Sequence, residues 1–280
     1  VDSVLAQTYE NIEIIVVDDN GLETHNQLAT EKIIGDYIKN PKFKYICHKE
    51  NSNGSTARNT GVKNSDGEYI ALLDDDDVFL PDKVMRQVAL LEDSDQKVGA
   101  VYCSHRTYLG RQEMRPEKAQ MSGSILYEYM SHQVEIASSA IMIRRSVWNE
   151  LGGFDESFKR HQDWEFISRL LSKYEIIGDD FYGFERHLIF RNSRVSPEVV
   201  KQRRLYYLKK MEPVLSMLSN SKRNNIIYNE FVDIAITYIK AHQIRGFIRE
   251  IMPLVFKPIA MKILFKKTAM FIKRGGKYIH

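Results

Sequence analysis

The sequence predicts an α/β protein in which a doubly wound, mainly parallel sheet is followed by a helical extension. Short β-branched runs alternate with segments of helical periodicity up to about residue 190, as in successive β-α-β units. From Pro197 onward the pattern is helical almost to the end. We therefore predict two regions, residues 1–195 with the sheet and residues 196–280 with the helices.

The predicted elements follow one another with turn residues between them. In the first part we predict a helix end at residues 1–9, strands at 12–17 and 43–47, helices at 24–39 and 56–63, a strand that ends at Asp74 and a helix that begins at Pro81. In the second part we predict strands at 98–108 and 137–143, a long loop at 110–122, a helix that ends near 148–154, a helix at 161–171 and two strands at 174–177 and 183–190.

Composition favours a cytoplasmic location. Cys47 and Cys103 lie in apolar strand-like runs, which fits buried reduced thiols better than a disulfide framework. No stretch reaches the roughly 18 consecutive apolar residues of a membrane span, and no signal peptide is recognisable. The formal net charge of +3 hides an asymmetry, because no Asp or Glu follows Glu250.

Two acidic turns follow predicted strands. Residues 74–77 are four consecutive aspartates, and Asp18-Asp19 follows the strand at 12–17. In doubly wound sheets ligands bind beyond the carboxyl ends of the strands. Carboxylates clustered there can hold Mn²⁺ or Mg²⁺ with a nucleotide diphosphate, whereas without a metal they form an ordinary solvated acidic turn. Neither a Walker lysine pattern nor a GxGxxG motif occurs.

A series of motifs resembles the family 2 glycosyltransferases, which have the GT-A fold. The matching segments are Gln7-Thr8-Tyr9, residues 11–19, Asn53-Gly54, residues 57–61, 67–70 and 73–77, Pro81, residues 152–156 and Asp163-Trp164-Glu165. They cover roughly residues 1–195 in the family's order. The resemblance implies a Rossmann-like GT-A domain that transfers a sugar from a nucleotide-diphosphate donor with inversion.

The resemblance also implies a donor pocket. Asp19 would contact the nucleobase with Asp18 beside it, and Arg58 and Asn59 would help form the pocket. From the residues alone, Asp19 could equally be a turn residue that bonds its own backbone, and Arg58 a member of a surface ion pair.

Residues 74–76 match the family's DxD motif. The resemblance implies that Asp76 is the metal ligand, that Asp74 and Asp75 lie near the ribose and the metal's waters, and that Asp163 is the catalytic base. One carboxylate can take the acceptor proton while a metal neutralises the leaving diphosphate. The alternative for Asp163 is a carboxylate that only stabilises a helix N-terminus.

Three further residues are candidates for the acceptor side. His161 and Trp164 flank the predicted base, and Ser139 precedes a strand on the side where the family's acceptor lies. The alternatives are a solvated histidine, a core tryptophan and a small strand residue.

The chain departs from the family pattern at two places. The family's first nucleotide-binding strand is absent, so we expect about 20 or more further residues before residue 1, from one strand plus one helix at usual lengths. The QxxRW signature of processive synthases is also absent, because Gln202-Arg203-Arg204-Leu205-Tyr206 lacks its spacing. Addition of one sugar at a time is therefore favoured.

The tail at residues 253–277 interleaves apolar residues with lysines, a composition typical of a helix on an anionic membrane surface. The alternative is a helix packed on the protein with a solvated lysine face. No nucleic-acid motif is present, so nucleic acid is not an expected partner.

These observations predict a metal-dependent glycosyltransferase of the bacterial surface-glycan type. It would move a sugar, from a UDP-sugar by preference, to a glycan or lipid-linked acceptor, in the cytoplasm or on the inner face of the cell membrane. The alternatives are an inactive module that binds sugar nucleotides or glycans, and a nucleotidyltransferase.

Overall fold

The computed structural model describes residues 1–114, 116–188 and 195–273, without the side chains of 270–273. Contacts divide the chain into two units. The sheet unit comprises Val1–Tyr129 and Val134–Phe190, and the helical unit comprises Met130–Gln133 and Arg191–His280. From the sequence we predicted the boundary between the two regions at residues 195 and 196. The assignment of residues 130–133 to the helical unit was not predicted. Every helix in the described ranges is too short or too polar to span a lipid bilayer.

The described residues of the sheet unit form eight strands. They are β1 (Ile14–Asp18), β2 (Phe43–Cys47), β3 (Tyr69–Ala71), β4 (Asp77–Phe79), β5 (Val98–Leu109), β6 (Gln112–Glu113), β7 (Ile141–Arg144) and β8 (Glu175–Leu188). Its helices are α1 (Asp2–Leu5), α2 (His25–Ile34), α3 (Gly54–Lys63), α4 (Lys83–Glu92), α5 (Leu126–Met130), α6 (Arg145–Leu151) and α7 (Gln162–Leu171), with short 3-10 helices at Tyr37–Lys39 and Ser138–Ala140.

The strands form two sheets. β1 and β2 pair in parallel, and the other six strands are ordered β3-β7-β5-β8-β4 with β6 on β5. The α/β class is confirmed. Parallel pairing is less extensive than predicted, because β5–β8 is parallel whereas β3–β7, β4–β8, β5–β6 and β5–β7 are antiparallel. Each antiparallel pair includes a short strand of two to four residues, β3, β4, β6 or β7.

The predicted pair of strands at 174–177 and 183–190 is one continuous strand, β8, as far as Leu188; residues 189 and 190 lie outside the described ranges. Its glycines mark close contacts rather than strand ends. A Cβ added at Gly178 would lie 2.6 Å from the Met121 carbonyl oxygen, and one at Gly183 would lie 2.5 Å from Cys103 Sγ. Only glycine fits at such close approaches.

Two boundaries near the acidic run also differ from the prediction. β3 ends at Ala71, so residues 72–76 form a loop and turn before β4. Helix α4 begins at Lys83 rather than at Pro81, because the preceding residues form a turn. In that turn the Pro81 carbonyl accepts a hydrogen bond from the Thr8 amide at 2.9 Å, and Thr8 Oγ1 donates to Asp82 Oδ1 at 3.0 Å.

The core of the sheet unit lies around β5 and β7. All four residues of β7 are buried, and β5 is buried from Val98 to His105. The amphipathic helix α7 contributes Phe166 and Leu170 to this core. Phe166 also packs against Trp148 and Phe154, with ring centroids 5.0 and 4.8 Å away. This packing positions the N-terminus of α7, which carries the predicted base.

The helical unit contains α8 (Pro197–Lys210), α9 (Glu212–Leu215), α10 (Asn220–Lys240), α11 (Ile244–Ile251), a 3-10 helix (Met252–Leu254) and α12 (Pro258–Lys273). Val232 and Ala235 of α10 form its core with Ile251 and Leu254. Helix α11 packs closely on α10, because a Cβ added at Gly246 would lie 2.1 Å from the Tyr238 ring.

The helical unit also buries a charged cluster. Glu230 is fully buried, and its oxygens accept from His132 Nε2 and Arg204 Nη1, each at 2.6 Å. Arg204 also contacts Asp233, which pairs with Lys267. Such a buried anion is tolerated because its charge and lone pairs are matched.

Candidate functional site

The acidic run is a turn held from beneath by a serine. The Asp77 amide donates to the Asp74 carbonyl at 3.1 Å, and the Asp74 amide donates to Ser139 Oγ at 3.1 Å. Ser139 also hydrogen-bonds the Asp77 carboxylate. The side chains of Asp75 and Asp76 are exposed. The turn therefore presents two carboxylates to solvent while its backbone is fixed from within.

Asp77 is the inward-facing member of the run. Its Oδ1 is buried and has no hydrogen-bond partner in the described part of the chain. Burial raises the pKa of Asp77 to about 6, against the hydrogen bond from Ser139, and the negative charges of Asp74 and Asp76 raise the pKa further. In β4 this residue lies opposite Arg186 of β8, whose positive charge lowers the pKa.

Arg58 links the acidic turn to the predicted base. It lies on α3, forms an ion pair with the Asp74 carboxylate and places its guanidinium 5.6 Å from the centre of the Phe154 ring. Its positive charge also lowers the pKa of Asp163, and the negative charge of Asp74 raises that pKa. The structure thus brings together three residues that are distant in sequence: Arg58, Asp74 and Asp163.

Asp163 lies in the first turn of α7 and is half-buried. Burial raises its pKa above the ordinary value, and the Trp164 amide opposes this increase by hydrogen bonding. A carboxylate at a helix N-terminus is oriented by the backbone N–H groups. A raised pKa brings such a group closer to the range in which a general base accepts a proton.

The two candidates beside the base lie together. His161 has a positive φ of 61° and precedes α7, and its ring centroid is 4.2 Å from that of Trp164. Both side chains are half-buried, so Trp164 is not a core residue. Ser139 differs, because it is fully buried beneath the acidic turn. Its position does not fit an acceptor contact, because its hydroxyl is directed to the turn that carries the acidic run.

The carboxylates of Asp18 and Asp19 are engaged in local structure. Asp18 is buried and accepts from the Asn20 backbone and side chain and from Tyr45 Oη. Asp19 Oδ1 accepts from the Ser52 amide at 2.9 Å and lies 2.7 Å from His48 Nδ1. Its Oδ2 accepts from the Asn53 amide at 2.8 Å. Asp19 therefore fixes the turn before α3.

Asn59 holds the segment at residues 153–156 against α3. Its Oδ1 accepts from the Phe154 amide at 2.9 Å, and its Nδ2 donates to the Phe154 carbonyl and to Glu156 Oε1, each at 2.9 Å. If Asn59 contacts the donor as predicted, the same side chain also holds residues 153–156 against α3.

Asn53 belongs to a matching segment of the sequence, but sequence analysis gave it no role of its own. It has a φ of 104°, its Oδ1 accepts from the Ser55 amide at 2.8 Å, and its Nδ2 donates to the Glu156 carbonyl at 3.2 Å. It therefore caps α3 and ties the helix to residues 153–156. An asparagine directly before a helix is the signal from which its capping role could have been predicted.

The donor set fits a divalent cation held partly by a ligand. The described residues contain no group of three or more His, Cys, Asp or Glu side chains arranged to hold a metal. Mg²⁺ commonly uses only one or two carboxylates together with phosphates and water. Asp75 and Asp76 meet that requirement, because they are exposed and hydrogen-bond no other described residue.

Comparison with solved structures shows a shared fold. The structure of Staphylococcus aureus TarS residues 1–349 aligns with a TM-score of 0.60 at 15% identity, over 100% of this chain and 87% of that chain. A mannosyltransferase from Pyrobaculum calidifontis, PcManGT in complex with GDP-Man and Mn²⁺, aligns with a TM-score of 0.57 at 15% identity, over 97% and 75% of the chains. The predicted GT-A fold with a C-terminal helical region is confirmed.

Sequence comparison identifies relatives of the same class. An uncharacterized glycosyltransferase of Rickettsia typhi is 33% identical over 179 residues, which are 61% of this chain and 53% of that protein. The chain thus spans about half the length of that relative. AmsB of Erwinia amylovora, an amylovoran biosynthesis glycosyltransferase, is 26% identical over 225 residues, which are 77% of this chain and 73% of AmsB.

The family model for glycosyl transferase family 2 matches residues 1–152, more than half of the chain. This region includes α3 with Arg58 and Asn59, both acidic turns and Ser139. The match agrees with the resemblance carried by the sequence motifs, and the chain belongs to glycosyl transferase family 2.

Proposed function

We propose that this protein transfers one sugar from a nucleotide-diphosphate sugar to a hydroxyl group of a glycan or lipid-linked acceptor, with inversion at the anomeric carbon. The observation that carries the proposal is the convergence of Arg58, Asp74 and Asp163 beside an acidic turn with two exposed carboxylates. This arrangement provides a cation-binding edge and a separate carboxylate of raised pKa, which are the two groups that a single displacement requires.

The donor class is supported by two related folds. A TarS structure is in complex with UDP, and PcManGT is in complex with GDP-Man and Mn²⁺. We favour a UDP-sugar as the donor. AmsB belongs to amylovoran biosynthesis, which supports an acceptor in the synthesis of a surface polysaccharide.

In the proposed reaction Asp163 accepts the proton of the acceptor hydroxyl while that oxygen forms a bond to the anomeric carbon. The bond from this carbon to the diphosphate oxygen breaks, and the nucleotide diphosphate leaves. Asp76, with Asp75 beside it, would hold Mn²⁺ or Mg²⁺, which neutralises charge on the diphosphate. Arg58 holds Asp74 in an ion pair and lowers the cost of an ionised Asp163.

We also propose a cytoplasmic site of action. Both cysteines are free, and Cys103 is buried, as expected for thiols in a reducing compartment. This part of the proposal is tested by fractionating cells that express the full chain and following the protein by immunoblot. Recovery outside the cytoplasmic and inner-membrane fractions would contradict it.

The enzymatic proposal is tested with the full chain in a thermal-shift screen of nucleotide sugars with Mn²⁺, followed by assays of transfer and donor hydrolysis. Asp163→Asn should lower transfer by about 100-fold or more and leave donor affinity nearly unchanged, because an amide cannot accept the proton. Loss of donor binding instead would show that Asp163 is not the base.

Asp76→Ala should abolish the metal-dependent part of donor binding, and the exposed Asp93→Ala serves as the matched control. Unchanged metal dependence in Asp76→Ala would refute the role of Asp76. If the protein binds UDP with Mn²⁺ but turns over none of the donors in the screen, it is a binding module and the enzymatic proposal is wrong.

A further inference from the structure

An exposed apolar stripe runs along the helical unit outside its core. Ile244, Ile248, Met252 and Phe256 follow one another at intervals of four residues through α11, the 3-10 helix and the turn before α12, and all four are exposed. Phe256 is 87% exposed. Residues four apart lie on the same face of an α-helix, so Ile244 and Ile248 lie together on α11, and Met252 and Phe256 are the exposed apolar residues of the 3-10 helix and turn that follow directly. We call these four residues the α11 stripe.

In α11 the stripe extends the apolar face that packs inward. Ile251 and Leu254 are buried against Val232 and Ala235 of α10. At 3.6 residues per turn Ile244, Ile248 and Ile251 lie on one side of α11, so the helix has one apolar face, of which Ile251 is buried and the other two isoleucines are exposed. Contiguous exposed apolar surface of this kind usually marks an interaction site.

The exposed charges of the chain segment that carries the stripe have one sign. Between residues 241 and 280 the only acidic residue is Glu250. It is buried and accepts from Lys201 Nζ and Arg249 Nε, each at 2.8 Å. Residues 241–269 contain five exposed basic residues: Arg245, Arg249, Lys257, Lys262 and Lys266. Within this segment the apolar stripe is therefore accompanied by exposed charges of positive sign, and an acidic residue of another helix, Glu198 of α8, lies near enough for its charge to act on Tyr238.

We propose that the α11 stripe binds the surface of an anionic lipid bilayer, with its apolar side chains in the interface and its lysines at the headgroups. Interfacial helices combine these two features. Two copies of the chain facing each other through the stripe would bring like charges together, which disfavours self-association. A nucleic-acid backbone would leave the apolar centre without a partner.

The structure changes which residues of the basic tail carry this role. Sequence analysis assigned the membrane surface to residues 253–277. Ile263 and Leu264 instead pack against the core of the helical unit, whereas Ile244 and Ile248, which precede that range, are exposed. Residues 274–277 lie outside the described ranges. The inference does not depend on the transferase proposal, because it concerns a surface of the helical unit alone.

The proposal is tested by co-sedimentation of the full chain with vesicles, without donor or metal. We expect binding to vesicles of one part phosphatidylglycerol and two parts phosphatidylcholine, little binding to phosphatidylcholine alone, and weaker binding at high salt because the headgroup attraction is screened. Equal binding to both vesicle types, or none to either, would overturn the proposal.

Two sets of variants assign the binding to the stripe. The double variant Met252→Ser, Phe256→Ser should lower the partition coefficient by about tenfold or more, because two apolar side chains no longer enter the interface. The control Met217→Ser removes an exposed methionine elsewhere in the same unit and should leave binding unchanged.

The triple variant Lys257→Gln, Lys262→Gln, Lys266→Gln should lower binding by about tenfold or more. The matched control replaces three exposed lysines elsewhere, Lys32, Lys39 and Lys209, and makes the same change in net charge. If both triple variants lose binding equally, net charge rather than the stripe is responsible. A dimer in light scattering that the stripe variants abolish would assign the surface to self-association instead.

Circular dichroism of each variant verifies that loss of binding does not result from unfolding. Transfer activity on a water-soluble acceptor should be the same in all of these variants. Failure of vesicle binding with transfer intact would remove this inference and leave the proposed function standing.

Discussion

Ser139 shows how a single buried hydroxyl can shape an exposed acidic turn. It accepts from the Asp74 amide and hydrogen-bonds the Asp77 carboxylate, so it contacts both ends of the run. The residues expected to hold a metal lie between these two contacts. The charge repulsion within the run favours a more open turn, and Ser139 opposes that tendency.

We predict that Ser139→Ala lowers the affinity for UDP with Mn²⁺ by about tenfold and the free energy of unfolding by about 1–2 kcal/mol, because two polar groups lose a buried partner. Isothermal titration and denaturant unfolding measure these quantities. Ser138→Ala is the matched control, since Ser138 is also buried and its hydroxyl has no hydrogen bond to another described residue. Equal affinity in the two variants would contradict the prediction.

At the residue scale the sequence locates the acidic turns but not the hydrogen bonds within them. The carboxylates of residues 74–77 could be predicted to cluster because they are adjacent in the chain. The partners of Asp19 and Asn59 could not, since the Asn59 bonds join residues 95 and 97 positions apart. The burial of Ser139 likewise depends on tertiary packing that no local pattern encodes.

Among the elements, the segment between α6 and α7 connects the site to the core. Gly152 and Gly153 both have positive φ angles, of 74° and 71°. Their surroundings differ, because a Cβ added at Gly153 would lie 2.6 Å from Asn59 Oδ1, whereas one added at Gly152 would have no atom within 4 Å. Gly153 is thus required by the contact with α3 as well as by the backbone.

We predict that Gly152→Ala lowers the free energy of unfolding by about 1 kcal/mol through backbone strain alone. Gly153→Ala should lower it by about 1–2 kcal/mol more, because Asn59 must move and lose its bond to the Phe154 amide. Urea unfolding of the two variants measures the difference. Equal losses would show that the Asn59 contact adds nothing to stability.

Helix α10 carries a second element-scale prediction. Burial raises the pKa of Glu230, but the charge of Arg204 and the hydrogen bond from His132 lower it by more, to about 2 from the ordinary value of 4.5. A carboxylate with a depressed pKa stabilises the fold above its unfolded pKa. This stability, about 3 kcal/mol, is lost as the pH falls from about 4.5 towards 2.

Glu230→Gln should therefore lower the free energy of unfolding by about 3 kcal/mol at pH 7 and flatten its decrease between pH 4.5 and 2, as measured by denaturant unfolding across that range. Glu212→Gln is the control, because Glu212 pairs with Arg223 at an exposed site and its loss should cost less than about 0.5 kcal/mol. An unchanged acid profile in Glu230→Gln would refute the role of this buried cluster.

The bounds of helices and strands were predicted most accurately where the apolar residue pattern continues over ten or so residues. The strand β5 and the helix α7 were both predicted within about one residue of their ends. The strand β8 was predicted as two strands, at 174–177 and 183–190, whereas residues 178–182 continue the strand between them. The antiparallel edge strands β3 and β4 are only three residues each, too short for a pattern to reveal their direction.

At the scale of the whole molecule, the chain forms two units with separate cores. The proposed donor site lies in the sheet unit, and the buried charge cluster lies in the helical unit. A ligand that binds only the native form of one unit stabilises that unit by an amount set by its concentration relative to Kd.

We predict that scanning calorimetry resolves two transitions and that UDP with Mn²⁺ raises the temperature of only one. At a ligand concentration of 100 Kd the stabilisation is about 2.7 kcal/mol. EDTA should remove this increase in transition temperature, and the Asp76→Ala variant should show no increase with UDP and Mn²⁺. Glu230→Gln should lower the other transition. If UDP with Mn²⁺ raised the temperature of the same transition that Glu230→Gln lowers, the prediction of two separate transitions would be wrong.

The assignment of residues 130–133 to the helical unit has an evolutionary consequence. The chain passes from the sheet unit to the helical unit after Tyr129, returns to the sheet unit at Val134 and enters the helical unit again after Phe190. The helical unit is therefore not formed by the C-terminal segment alone. A recombination event that exchanged only the segment after residue 195 would separate His132 from Glu230. Lineages that acquire new C-terminal helices should therefore also change the tetrapeptide at 130–133, and the two segments are expected to be inherited as a pair.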